Sequence, residues 1–441
     1  MNRPKISLLM IAMIATLSFH CFSQQAAAKA PEGFTPLFDG TTLKGWKGLV
    51  GSPVSRAKMS PEELSKAQAE SDARMKSHWH AVDGAIEFDG EHGEQRAGNL
   101  CTDKEYGDFE LFIDWKVSEG GDSGIYLRGT PQVNIWDTKY EKYKKLQNYK
   151  GSGNVYNNQK NPRHALVHAD NPVGEWNTFY IRLVGQRLFV KLNGKVVADN
   201  IIMENYWERD KPLYRTGAIE LQDHSSKVSF KDIYIREIPS NEANDILDSM
   251  NTKGFTSIFN GKDFKGWKGP TDEYEVKDGS IVCKPGKGGH IYTEKEYSNF
   301  IAKIEFKLPP AGNNGLAIRY PGEGNPHKAG MTEIQILDSE HPQYAKLHPT
   351  QYHGSVYGLI PAHRGYLRPT GEWNFQTVTV DESRITVELN GVVILEGDVS
   401  KLKESKDGEV YPSSAIKRGH FGFAGHNDAV PLRNIAIREL P

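Results

Sequence analysis

The sequence predicts an all-β protein made of two tandem jelly-roll β-sandwiches, with one helix inserted in the first. Three observations lead there. Apolar residues alternate with period two through FELFIDWKV, IYLR, TFYIRLV and LFVKL, and again through NFIAKIEFKL, LAIR, QTVTV and ITVEL, the pattern of half-buried strands. The 441 residues include 43 glycines and 10% Phe, Trp and Tyr, a composition that favours strands and turns. The chain also repeats itself: FTPLFDGTTLKGWKG from Phe34 returns as FTSIFNGKDFKGWKG from Phe255, with nine identities in fifteen positions.

The first 30 residues stand apart from this pattern. Arg3 and Lys5 precede the apolar run ISLLMIAMIATLSF and the small-residue stretch QQAAAKA, which reads as a secretory signal peptide and predicts an exported, periplasmic or secreted protein. The apolar run is too short to favour a spanning helix, and no later stretch is apolar enough to span. Leu17-Ser18-Phe19-His20 lacks the small residues that a lipidation signal would place before Cys21, which argues against a lipoprotein. After cleavage Cys101 and Cys283 remain, at non-equivalent places in the repeat, and two buried free thiols are expected. Lys plus Arg total 54 against 56 Asp plus Glu. That balance excludes a disordered chain and an electrostatically driven nucleic-acid binder.

The repeat continues in order. VDGAI at Val82 matches KDGSI at Lys277, LCTDKEYGDFE at Leu100 matches IYTEKEYSNFI at Ile291, and SGIYLR at Ser123 matches NGLAIR at Asn314. GEWN recurs at Gly174 and Gly371, LNG at Leu192 and Leu389, and IYIREI at Ile233 returns as IAIREL at Ile435. Two whole domains result, 31–239 and 253–441, joined by a polar linker over 240–252. Asn193-Gly194 and Asn390-Gly391 are hairpin turns. About 200 residues of short antiparallel strands per copy fit two packed sheets. Ser60-Pro61-Glu62-Glu63 is a capping box with proline at the first helical position, opening a helix to about Lys76. Copy two has no counterpart, so this helix is an insertion.

The FDG-x3-KGW opening, GEWN, GDSGIYLRG followed by PQVNIWD, and the closing LQDHSSKVSFKDIYIRE resemble the 3-keto-disaccharide hydrolase family. The resemblance covers nearly the whole chain after the signal, once per copy. It implies a concanavalin-like sandwich and hydrolysis of glycosides oxidised at C3, with an oxidised sugar as partner. The alternative is a non-catalytic, lectin-like carbohydrate-binding protein, since one fold hosts both.

Strand alternation places Arg128 and Arg319 at matching phase on the non-aliphatic face of each copy. There they could bind sugar oxygens or stabilise an enolate, or form surface ion pairs. Thr332–Asp338 aligns Glu333 and Gln335 on one face and is similar to the E-x-D-x-x-E strand of retaining β-glucanases. The copy-one counterparts are Gln132, Asn134 and Asp137, so a two-carboxylate glycosidase cannot be built there. A C3 ketone acidifies the C2 proton, however, and one general base then suffices for elimination of the C1 group followed by hydration. Asp137 and Asp338 are the candidate bases or metal ligands, or turn caps. His224 and His426 recur and could assist the leaving group, or bond the adjacent turn. Tyr156 and Tyr357 could stack on a sugar or fill the core, and Trp136, sharing a face with Gln132 and Asn134, is the stacking candidate in copy one. Trp46, Trp267, Trp176 and Trp373 are read as core anchors. No cofactor is indicated. A divalent metal is compatible with this fold, but no Asp-rich loop signals one.

Overall fold

The computed structural model describes residues 30–91, 98–130, 132–141, 151–402, 404–409 and 415–441. The signal segment and Cys21 lie outside them. The chain folds into two β-sandwiches, each an eight-stranded sheet packed on a five-stranded one. We number the strands of the two smaller sheets. In copy one these are β1 (Trp46–Gly48), β2 (Leu100–Thr102), β3 (Asp122–Leu127), β4 (Gln132–Trp136) and β5 (Ile219–Leu221), in spatial order β1-β2-β5-β3-β4. In copy two they are β6 (Trp267–Lys268), β7 (Gly289–Tyr297), β8 (Asn313–Tyr320), β9 (Thr332–Leu337) and β10 (Gly419–Gly425), in order β6-β7-β10-β8-β9. The orders correspond strand for strand, and all pairings are antiparallel.

Alternation along these strands sends one set of side chains inward. Ile125, Leu127, Val133, Ile135, Ile219 and Leu221 join the first core, and Ile291, Leu316, Ile318, Ile334, Ile336 and Phe423 join the second. The other set faces outward from the sandwich, and that outer face holds the site candidates. Asn193 and Asn390 have φ of 49° and 52°, each followed by a glycine at 79°, as a two-residue hairpin turn requires. Trp46 and Trp267 are buried, and each indole N–H donates to a carbonyl, of Leu37 and Ile258 respectively. Trp176 and Trp373 differ from expectation. They lie half-buried under cations, Lys116 and Lys231 over the first and Lys307 and Arg433 over the second. Both cysteines are free and buried.

Among the described residues the α-helices are α1 (Pro53–Arg56), α2 (Pro61–His78), α3 (Ser240–Ser249) and α4 (Pro326–Ala329). The capping box of α2 is present in both directions, Glu63 N–H to Ser60 Oγ at 3.2 Å and Ser60 N–H to the Glu63 carboxylate at 2.8 Å. The segment expected to be a polar linker is instead the helix α3. Its apolar residues fall at helical spacing, so Ala243 and Leu247 bury against Val184 and Ile238 of copy one and Phe375 of copy two. The copies also touch directly. Gln186 N–H donates to Gly391 O at 3.0 Å, Arg187 pairs with Glu388, and the Tyr366 hydroxyl donates to Leu213 O at 3.1 Å. No helix among the described residues is long and apolar enough to cross a membrane.

Candidate functional site

Four of the sequence candidates are structural. Arg128 directly follows β3 and Arg319 is the next-to-last residue of β8, with φ of 55° and 49°. This left-handed kink breaks the alternation that had placed them on the outer face. The Arg128 guanidinium is buried and donates to Gly107 O, to Gly185 O at 2.7 Å and to Asp108 Oδ1 at 3.0 Å. Arg319 donates to Ser298 O at 2.7 Å, to Glu382 O and Ile416 O at 2.9 Å, and to Asn299 Oδ1 at 3.0 Å. Gly185 and Glu382 occupy equivalent turns of the larger sheets, so each arginine ties one sheet of its sandwich to the other.

Asp137 and Asp338 follow β4 and β9 as buried turn caps. Asp137 accepts the Gly120 N–H at 2.8 Å and the Lys139 N–H at 3.0 Å, and Asp338 accepts the Ala311 N–H at 2.9 Å. Both Asp137 oxygens and one Asp338 oxygen are thus engaged by backbone donors, the arrangement of a turn cap. Trp136 is also buried: its indole donates to Asp122 Oδ1 at 2.8 Å, and the Tyr156 ring meets it edge-on at 5.5 Å. Arg163 covers the Tyr156 ring at 4.8 Å. Trp136 is thus enclosed by the fold, while Tyr156 is half-buried under Arg163. His224 Nδ1 lies 3.2 Å from Asp122 Oδ2.

The remaining candidates converge in copy two. On the outer face Glu333 of β9 pairs across the sheet with Ala317 of β8, then Gly422 of β10 and Tyr292 of β7. One row along, Gln335 pairs with Gly315, while Ala424 pairs with His290. Two walls, Glu333 with Gln335 and His290 with Tyr292, therefore enclose a strip of glycine and alanine. The Glu333 carboxylate folds onto Gly315 so closely that a Cβ there would sit 2.1 Å from Oε1. His327, on α4, places Nδ1 3.7 Å from Glu333 Oε2, and His426 places Nε2 4.0 Å from Oε1. Tyr357 packs its ring 5.0 Å from that of His327, and its hydroxyl accepts from Gln351. Gln335 donates to Asn313 Oδ1 at 2.8 Å, which leaves its own Oε1 without a partner.

The electrostatics follow from this packing. Burial pushes the Glu333 carboxyl up, but His327 and then His426 outweigh it and hold the group below the ordinary carboxylate range. His426 is held above the ordinary imidazole range by Glu333, against the effect of burial. Burial holds His290 below that range. Side by side, these shifts favour the ionised form of the Glu333 carboxyl and the protonated form of the His426 imidazole, the opposed tuning of an acid and a base that catalysis uses. Among the described residues no group of three or more His, Cys, Asp or Glu is arranged to hold a metal ion.

The family described as the 3-keto-alpha-glucoside-1,2-lyase-like domain matches this chain twice, over residues 33–236 and 254–438. The chain belongs to that family. A curated relative, the 3-keto-disaccharide hydrolase of Bacteroides thetaiotaomicron, is 24% identical over 267 residues, 51% of this chain and 91% of the relative. Among solved structures, a candidate glycosyl hydrolase from Parabacteroides distasonis is 27% identical, with a TM-score of 0.37 and coverage of 43% of this chain and 95% of its own. A carbohydrate binding module from Bacillus subtilis is 11% identical, with a TM-score of 0.26 and coverage of 43% and 98%.

The two 3-keto-alpha-glucoside-1,2-lyase-like domains are not equivalent at this face. In copy one the row corresponding to Glu333, Ala317, Gly422 and Tyr292 reads Gln132, Tyr126, Glu220 and Cys101. The carboxylate is an amide, and the small residues are a tyrosine and a glutamate. Glu220 is buried, which pushes its carboxyl up to about 7, and Cys101 is likewise pushed up to about 12. Copy one joins β3 to β4 by a short turn, whereas copy two inserts the segment carrying α4 and His327 between β8 and β9. The sequence reading missed His327, His290 and Tyr292 because it favoured residues present in both copies. The signal available was the break in the repeat between NGLAIR and TEIQ.

Proposed function

We propose that copy two cleaves the glycosidic bond of a 3-keto-glucoside, with Glu333 as general base and His426 as general acid. The observation behind this reading is the buried, ionised Glu333 carboxylate held over Gly315 between two histidines. Glu333 takes the proton from C2, which the C3 ketone acidifies, and the electron pair passes into the ketone as an enolate. When the ketone re-forms, C1 and C2 become double-bonded, the C1–O bond breaks, and His426 gives its proton to the departing oxygen. Water then adds across the double bond, its hydroxyl to C1 and its proton to C2, for net hydrolysis. General acid–base steps of this kind contribute about 10²–10⁴-fold each. His290 and Tyr292 form the opposite wall, and Gln335 Oε1 is free to accept a sugar hydroxyl. Export of the chain, read from its N-terminal segment, is part of the proposal and is checked by mass spectrometry of the mature N-terminus.

The pH profile tests the assignment. Glu333 must be ionised, so kcat/KM should fall as pH drops through a value below the ordinary carboxylate range. His426 must be protonated, so it should fall again as pH rises through a value above the ordinary imidazole range. His426→Gln should remove the alkaline limb. His327→Ala withdraws the interaction that opposes burial most strongly, so the Glu333 pKa should rise and the acid limb should move to higher pH. An acid limb unmoved in His327→Ala would assign the base elsewhere.

A further inference from the structure

We propose that the outer face of copy one is a second sugar site, which binds an uncharged, hydroxyl-rich ring around Gly124 without cleaving it. Three amide side chains meet there. Asn134 of β4 pairs directly with Gly124 of β3, and on the other side the Gln222 N–H donates to Gly124 O at 2.9 Å. Gln132 folds its amide over the glycine, so that a Cβ on Gly124 would sit 2.1 Å from its Oε1. Gln132 and Asn134 belong to the outward-facing set of β4, and Gln222 follows β5 directly, in phase with the outward-facing Glu220. Among the described residues Gln132 Oε1, Gln222 Oε1 and both Nδ2 and Oδ1 of Asn134 have no hydrogen-bond partner. Asn134 has no exposed surface, and Gln132 is 6% exposed.

A buried amide with no partner is costly, because it has lost its water without gaining a hydrogen bond, and native structures keep few of them. Here four such atoms sit around one glycine. Their chemistry selects the ligand. An amide carries an acceptor and a donor side by side and no charge, so Asn134 can accept from one hydroxyl of a vicinal diol and donate to the next. Gln132 and Gln222 add two acceptors. A phosphate or carboxylate would meet three acceptor oxygens with no facing cation among these groups, whereas a neutral sugar satisfies each of them.

The comparison with copy two explains why such a ligand would be held and not cleaved. Gln132 occupies the place of Glu333 over the equivalent glycine, with the same 2.1 Å approach, but an amide cannot take the C2 proton.

Binding of methyl α-glucoside to the full chain, measured by calorimetry, provides the test. Asn134→Leu, which keeps the side-chain shape, should remove one equivalent of bound sugar, and Gln132→Met should do the same. In both variants turnover of a 3-keto-glucoside by copy two should stay within twofold of wild type. If Asn134→Leu melts higher than wild type and binds the same number of equivalents, the amides are merely hydrated and the proposal fails. It also fails if the wild type binds no methyl α-glucoside at all. Should Asn134→Leu not fold, Gln132→Met alone decides. Persistent turnover in Glu333→Gln would overturn the proposed catalytic role but leave this stoichiometry unaffected, so the two readings fail separately.

Discussion

Glu333→Gln is expected to lower kcat/KM for a 3-keto-glucoside by about 10²–10⁴-fold, the usual contribution of a general base, with the melting temperature nearly unchanged. The protein itself supplies the control for stability. Copy one already carries glutamine at this position, Gln132, in the same posture over Gly124 that Glu333 adopts over Gly315. An amide therefore fits the site. The variant exchanges an ionised oxygen for a neutral group of equal volume, and the two ion-pair contacts it gives up are long, at 3.7 and 4.0 Å. Release of the aglycone from a chromogenic 3-keto-glucoside, followed alongside a thermal melt, checks both halves. Activity above a tenth of wild type would mean that Glu333 is not the base. The reciprocal change, Gln132→Glu, should not create a second active copy. The neighbouring positions there are Tyr126 and Glu220 in place of Ala317 and Gly422, and copy one has no counterpart of His327.

What the repeat made legible was the scaffold. The period-two runs became strands, the Asn-Gly pairs became hairpin turns, and Ser60-Pro61-Glu62-Glu63 became the start of a helix that ends at His78. Each depends on a local rule that one sequence can carry. The site was less legible, for a reason that particular residues show. Residues common to both copies are retained because both sandwiches need them. Arg128 and Arg319 join the sheets, and Asp137 and Asp338 cap the turns after β4 and β9. The proposed chemistry lies instead where the copies differ, at Glu333 against Gln132, Ala317 against Tyr126 and Gly422 against Glu220, and at His327, which copy one lacks. The arginines were also hidden by backbone geometry. Alternation assigns a face only while the strand stays extended, and a positive φ at Arg128 and Arg319 turned both side chains away from it.

That structural role for the arginines makes a second prediction of large effect. Arg128→Met should destabilise copy one by about 3–5 kcal/mol, the cost of breaking a buried charged pair and leaving its partners behind. Methionine fills much of the same volume, so the loss would come from the hydrogen bonds. The carbonyls of Gly107 and Gly185 and the Asp108 carboxylate would all lose their donor. In a domain of about 200 residues each kcal/mol is worth roughly 2–4 °C in melting temperature, so a fall of about 10 °C is expected by calorimetry. Arg128→Lys should recover little of it, because an ammonium cannot span these partners as the planar guanidinium does. Arg319→Met should destabilise less, since its partners are three carbonyls and an amide oxygen and no carboxylate is left unpaired. A catalytic arginine would behave in the opposite way, with lost turnover at an unchanged melting temperature. Arg128→Met is expected to retain turnover in whatever fraction is folded, because Arg128 lies in the copy that lacks the Glu333 carboxylate and its guanidinium is sealed between the sheets.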